Sequence, residues 1–166
     1  MLKLNSRGFT LIELMVIIAV LGVITALALP SFKSILDGRR LQGATDNFYA
    51  MLQYARSEAI KQNQSVQFQF DTNAWCFGVD DEGADCDCTT PSTCTVSGMQ
   101  KVTDNTEYTN VTFSSDSAED TLTFEPRRGQ PLDTLGAPIP TVTFTFTTGN
   151  KTKQVSVNPV GLIRAE

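Results

Sequence analysis

Four cysteines stand at Cys76, Cys86, Cys88 and Cys94, and five carboxylates crowd the same stretch at Asp80, Asp81, Glu82, Asp85 and Asp87. One more carboxylate, Glu13, stands at the head of a long apolar run, and the chain of 166 residues has no histidine. That absence removes the commonest general base and the commonest metal ligand together, which excludes Ser-His-Asp triads, Cys-His dyads and zinc sites built on histidine. No G-x-S-x-G elbow and no phosphate-cradling glycine loop occurs, so no catalytic residue is assigned and the chain is read as a non-enzyme. Four thiols this close together read as two disulfides where the compartment is oxidising. A Cys86–Cys88 bond would close an awkwardly small ring, which leaves Cys76–Cys86 with Cys88–Cys94, or Cys76–Cys88 with Cys86–Cys94. Spacing does not choose between them. A four-thiolate metal site is disfavoured because the C-x9-C-x-C-x5-C pattern has no C-x2-C knuckle. The carboxylates from Asp80 to Asp87 are of the hard-oxygen type that calcium prefers, but their spacing does not fit an EF-hand, and a solvated acidic loop with no cofactor is expected.

These groups need elements to position them, and the chain divides sharply. From Leu14 to Phe32 no charge interrupts the apolar sequence, a run long enough for a helix to cross a hydrocarbon core of about 30 Å. The mean hydropathy of −0.09 averages this run with a polar remainder and describes neither. Lys3 and Arg7 precede the run and place the N-terminus in the cytoplasm, with everything after Phe32 outside, where thiols oxidise. A secretory signal peptide would have similar flanks, but it would not carry Glu13 at the start of its apolar core. An ionised group at mid-membrane costs about 2.5–3.5 kcal/mol, less near an end, so Glu13 either takes a partner or snorkels to the interface. Beyond Pro30 the apolar positions Leu41, Ala44, Phe48, Leu52, Ala55 and Ala59 step by three or four, which predicts one helix from about Phe9 to Asn63, kinked or loosened at Pro30. After Asn63 the period becomes two, at Val66, Phe68 and Phe70, Val111 and Phe113, Leu122 and Phe124, Val142, Phe144 and Phe146, then Val155 and Val157. TTGN at Thr147–Asn150 predicts a hairpin turn. The fold class is therefore α+β: a long N-terminal helix, with a transmembrane half and an amphipathic half, packed on an antiparallel β-sheet head.

At GFTLIE, residues Gly8–Glu13, followed by the apolar run, the chain resembles the type IV pilin and pseudopilin superfamily. The resemblance implies that a prepilin peptidase cuts between Gly8 and Phe9, that the new amine of Phe9 is methylated, and that the Glu13 carboxylate pairs with the Phe9 amine of a neighbouring subunit. Two opposite charges in a low dielectric relieve each other's burial, which makes that pairing physically reasonable. The implied organisation is a leader at 1–8, a membrane and filament-core helix at 9–32, an amphipathic helix at 33–63, and a periplasmic head at 64–166 carrying the Cys-rich loop 76–94. YARSEAI (Tyr54–Ile60), AWCFG (Ala74–Gly78), FEPRRG (Phe124–Gly129) and VNPVGLIR (Val157–Arg164) are similar to the GspH/FimT group of minor pilins and pseudopilins, which includes FimU. The charges of YARSEAI read as a solvated face, and Gly129 and Gly161 as turn or bulge positions rather than ligand contacts.

The resemblance implies a minor pilin that takes part in pilus assembly at the filament tip, with other major and minor pilins or pseudopilins, prepilin peptidase and inner-membrane assembly machinery as partners. It also admits two alternatives: a minor pseudopilin of a type II secretion system, and a FimT-like protein that captures DNA. For the last, Arg127, Arg128, Lys151, Lys153 and Arg164 are the candidate contacts, although the family's G-R-x-R motif reads Gly161-Leu162-Ile163-Arg164 here and lacks its first arginine. From Lys33 onward 11 Lys+Arg face 17 Asp+Glu, a charge of −6, which weakens any attraction to phosphates.

Overall fold

A computed structural model of the chain describes residues 8–83 and 86–166, and of residues 26–31 the backbone alone. The leader residues 1–7 and the acidic-loop residue Asp85 lie outside the described residues. One helix, α1 (Leu11–Gln62), continues through Pro30 without a break in its assignment. The chain forms two units, Met1–Leu36 and Asp37–Glu166. In the first, every described side chain from Gly8 to Thr25 is exposed, so the apolar residues Ile12, Leu14, Val16 and Leu21 face outward all round. Among the described residues no helix is long and apolar enough to cross a membrane. The span expected at Leu14–Phe32 runs into residues 26–31, whose side chains lie outside the description.

In the second unit the predicted stripe is the buried one: Leu41, Ala44, Phe48, Leu52, Ala55 and Ala59 are all buried, because positions three and four apart share one helix face. Asn63, at φ 53°, ends the helix in the left-handed conformation that asparagine tolerates, and Gln64 N–H donates to the Ala59 carbonyl at 3.3 Å.

Among the described residues eleven strands follow. β1 (Val66–Asp71), β2 (Cys76–Asp80), β5 (Val102–Thr103), β7 (Thr121–Phe124) and β8 (Pro131–Leu132) form a five-stranded sheet in the order β5-β2-β1-β7-β8. β6 (Thr112–Ser115), β9 (Val142–Thr148), β10 (Lys151–Val157) and β11 (Ile163–Ala165) form a four-stranded sheet in the order β11-β10-β9-β6. β3 (Thr95–Val96) and β4 (Met99–Gln100) make a small separate hairpin. All pairings between these strands are antiparallel. The turn at Gly149–Asn150 joins β9 to β10 with Thr148 opposite Lys151, as TTGN predicts. The first residues of AWCFG are not strand: Trp75, at φ 54°, lies in the turn before β2.

Alternation along β1 buries Val66, Phe68 and Phe70, and along β9 it buries Val142, Phe144 and Phe146. Phe48 of α1 sits among rings of both sheets, with centroids of Phe68, Phe77, Phe113, Phe144 and Phe146 at 4.6–5.3 Å. Such tilted and edge-on ring pairs add to the gain from burying their area, so one helical residue ties both sheets to α1.

Candidate functional site

The N-terminal motif folds into a device that its spacing encodes. Thr10 precedes the helix and Glu13 is three residues on; the Thr10 N–H and hydroxyl each donate to Glu13 Oε2 at 3.0 Å, and Glu13 N–H donates to Thr10 Oγ1 at 3.3 Å. This is a capping box, which satisfies N–H groups that the first helical turn leaves open. The T-x-x-E spacing of this box is legible in the sequence at Thr10 and Glu13. The Phe9 nitrogen is part of the Gly8–Phe9 peptide and carries no ammonium, and Thr10 is the group that holds the Glu13 carboxylate. Gly8 and Phe9 are exposed and lie outside the helix. On α1, Glu13 shares a face with Val16 and Ile17, and Phe9, ahead of the helix, lines the same surface.

Of the two disulfide pairings that spacing leaves open, the structure has Cys76–Cys88 and Cys86–Cys94, with Cα separations of 5.7 and 4.6 Å. Gly78 makes room for the second bond: a Cβ there would lie 2.8 Å from Cys94 Sγ and 3.1 Å from the Lys101 carbonyl oxygen. The acidic residues beside it are not uniformly solvated. Asp80 is 1% exposed, and its carboxylate accepts from the N–H groups of Thr95 at 3.1 Å and Glu82 at 3.2 Å. Asp81 Oδ2 accepts from Ser97 N–H at 3.0 Å and from Gln62 Nε2 at 2.9 Å. Asp87 accepts from the Thr89 hydroxyl and N–H and the Thr90 hydroxyl, which hold its carboxyl below the usual aspartate range. These carboxylates therefore brace the Cys-rich loop by capping backbone donors. Among the described residues no three His, Cys, Asp or Glu side chains gather as a metal site would require.

YARSEAI is not simply a solvated face. Glu58 is 7% exposed and accepts from Lys61 Nζ at 2.9 Å and Gln62 Nε2 at 2.9 Å. The same Gln62 amide reaches Asp81, so α1 is tied to the Cys-rich loop through one side chain. Those hydrogen bonds, first from Gln62 and then from Lys61, hold the Glu58 carboxyl below its ordinary range.

YARSEAI, FEPRRG and VNPVGLIR meet at one point. Gly129, at φ 63°, follows Arg127 and Arg128 in the turn between β7 and β8, and Gly161, at φ 79°, sits in the turn between β10 and β11. A Cβ on Gly129 would lie 2.7 Å from Arg56 Cγ and 3.0 Å from Ile60 Cδ1. A Cβ on Gly161 would overlap the Gly129 carbonyl oxygen and lie 3.2 Å from Arg56 Nε. The two glycines are turn positions as expected, and they are also the contact at which the two sheets close over Arg56. Arg56 Nε is buried there without an acceptor. The five nominated cations do not gather. Arg127 and Arg128 are exposed beside this contact, and Arg164 follows on β11, opposite Ser156. Lys151 and Lys153 lie toward the other end of β10, with Lys151 about 20 Å along the strand from Val157, and Lys151 Nζ would lie 2.9 Å from a Cβ on Gly38. Arg56, which the sequence reading placed on a solvated face, joins the arginines instead.

A groove of about 260 Å³ over Leu122, Ile139 and Val142 is rimmed by Asp116, Glu119 and Asp133. Glu119 accepts from the N–H and hydroxyl of Thr134, Asp133 from the N–H groups of Leu135 and Ala137, and Asp116 from Thr143 N–H, so all three are loop braces.

A capped, outward-apolar N-terminal helix that continues into a head of antiparallel sheets is the architecture of pilins and pseudopilins. The prokaryotic N-terminal methylation motif matches residues 3–29, and the family described as type II transport protein GspH matches residues 44–161. The chain belongs to that GspH family, and with it to the GspH/FimT/FimU group of type IV pilins and pseudopilins, which are structural proteins and not enzymes. The type IV minor pilin FimU of Pseudomonas aeruginosa shares the fold at a TM-score of 0.57 and 22% identity, over 80% of this chain and 92% of that one. The minor pseudopilin EpsH from the type 2 secretion system of Vibrio cholerae shares it at 0.56 and 14% identity, over 76% of this chain and 96% of that one. The fimbrial protein EcpC of Eikenella corrodens is 54% identical over 33 residues, which is 20% of this chain and 22% of that relative's length.

Proposed function

We propose that the chain is a minor type IV pilin that enters a pilus, at the tip, and helps to initiate its assembly. The observation that carries this reading is the methylation motif with a capped Glu13, at the start of a helix whose apolar side chains as far as Thr25 are exposed, joined to a GspH-family head. Prepilin peptidase cuts at Gly8–Phe9, Phe9 is methylated, and residues 9–32 anchor the precursor in the inner membrane with the head in the periplasm. The inner-membrane assembly machinery then draws that segment into a bundle formed with other pilins. There Glu13 exchanges its Thr10 partners for the ammonium of a neighbour's Phe9, an ion pair worth more in low dielectric than in water.

The test is to follow a tagged chain in membrane and sheared-filament fractions. Glu13→Ala leaves the membrane level unchanged and lowers the filament fraction; equal recovery from filaments would sink the pairing. Wild-type chain absent from every filament would sink the assembly reading itself. A second reading, a minor pseudopilin of a type II secretion system, is supported by the GspH family match and the fold shared with EpsH. The two are separated by deleting the gene and asking whether pilus-dependent motility or protein secretion is lost. A DNA-capturing role is supported only by the exposed Arg127 and Arg128, and it requires salt-sensitive retention of DNA by the protein in a mobility shift.

A further inference from the structure

We propose that the surface over the Gly129–Gly161 contact is a docking site for an acidic, apolar-anchored segment of a neighbouring filament subunit; this rests on the assembly reading above. The surface carries Arg56, Arg127 and Arg128 together with Ile60, Val160 and Leu162, whose exposures are 46%, 60% and 42%. These groups are contiguous. Gly129 follows the two arginines, and a Cβ on it would lie 3.0 Å from Ile60 Cδ1; a Cβ on Gly161, which Val160 and Leu162 flank, would overlap the Gly129 carbonyl oxygen.

Three features point to an acidic occupant. In a unit where 17 Asp+Glu face 10 Lys+Arg, Arg40 pairs with Asp37 and Lys61 with Glu58, whereas none of the three arginines has a carboxylate partner among the described residues. The Arg56 stem is held beneath two glycines, and its Nε is buried without an acceptor. An arginine fixed in this way loses little rotamer freedom when it binds, and its planar fork suits a carboxylate. Finally, large apolar side chains exposed among arginines match the make-up of interface centres, in which an apolar anchor is ringed by charge. A nucleic acid fits less well, because the unit's negative charge repels a polyanion and the apolar trio offers nothing to phosphates.

The experiment uses the full chain in cells that assemble the filament, with a benzophenone amino acid in place of Val160 and, as a control, in place of Thr152, an exposed residue near the start of β10. The expected result is a crosslink from position 160, absent from 152, to a carboxylate-rich segment of another pilin-class subunit. Arg127→Glu with Arg128→Glu lowers its yield by about tenfold or more, whereas Arg127→Lys with Arg128→Lys keeps most of it. Three results overturn the inference while leaving the assembly reading intact: chain in filaments with no crosslink from position 160, a nuclease-sensitive crosslink, or a yield indifferent to charge reversal. Chain missing from filaments overturns the assembly reading, and this inference falls with it.

Discussion

Gly161→Ala tests whether the Gly129–Gly161 contact holds the two sheets of the head together. At φ 79° an alanine is strained by about 1–2 kcal/mol whatever surrounds it. Its Cβ would also overlap the Gly129 carbonyl oxygen and come within 3.1 Å of the carbonyl carbon. The obstacle is backbone and cannot swing aside as a flexible side chain would, so the turns between β7 and β8 and between β10 and β11 must separate, an overpacking cost of about 1–3 kcal/mol. The total is about 2–5 kcal/mol, a large part of the ~5–15 kcal/mol that stabilises an ordinary domain. Gly149→Ala is the matched control. Gly149 has φ 55° and nothing within 4 Å of its Cβ position, so it carries the strain without the clash. The entropy that alanine removes from the unfolded chain is similar in the two variants and cancels between them. The assay is urea unfolding of the purified full chain in detergent, followed by the fluorescence of Trp75. That residue is the chain's one tryptophan, 5% exposed and stacked on Tyr108 with ring centroids 5.6 Å apart, so its emission reports on the head. The Gly161→Ala midpoint falls below that of Gly149→Ala by an amount equivalent to about 1–3 kcal/mol, with the slope unchanged. Equal midpoints would refute the claim that the two turns are in obligatory contact.

Three further outcomes follow from the structure. Thr10→Ala removes the hydroxyl of the capping box and costs about 1 kcal/mol at the helix start, so hydrogen exchange of the first-turn amides, measured in detergent, speeds up while exchange near Phe48 does not change. Peptide mapping of the unreduced chain finds Cys76 with Cys88 and Cys86 with Cys94; removing either bond as a Cys→Ser pair costs about 2–3 kcal/mol for loops of 12 and 8 residues, and Cys76 found with Cys86 would disprove the pairing. Glu58, held below its ordinary pKa by Gln62 and Lys61, contributes stability that is complete above the unfolded glutamate range and fades as the pH falls through the lower folded value. Its partner Lys61, raised mainly by the hydrogen bond to Glu58, keeps its contribution through neutral pH and loses it only in strong alkali. The urea midpoint of the native chain therefore drops more steeply below about pH 5 than that of Glu58→Gln; parallel curves would contradict the assignment.

The sequence by itself determined what depends on near neighbours. Glu13 and the run after it specify the N-terminal methylation motif, because the carboxylate and the apolar residues are read in order along one segment. The stripe Leu41-Ala44-Phe48-Leu52-Ala55-Ala59 specified the buried face of α1, and the alternation along β1, β7, β9 and β10 specified half-buried strands, since both periods are set by backbone geometry within a few residues. The strands it passed over, β3, β4, β5, β8 and β11, have two or three residues each and exist only through the partners they pair with. The tertiary structure alone decided contacts between distant positions. Which cysteine meets which depended on the path of β2 and the Cys-rich loop over Gly78. Glu58, Asp80 and Asp81 look like solvated charges in sequence; they are buried because Gln62 and the N–H groups of the Cys-rich loop fold back to bond them. Arg56, Gly129 and Gly161 come from three motifs that no local period connects, and only the closure of one sheet on the other gathers them into a single surface. Local spacing fixes which face a side chain occupies, whereas its partner across the core is fixed by sheet order and loop path, which are properties of the whole chain.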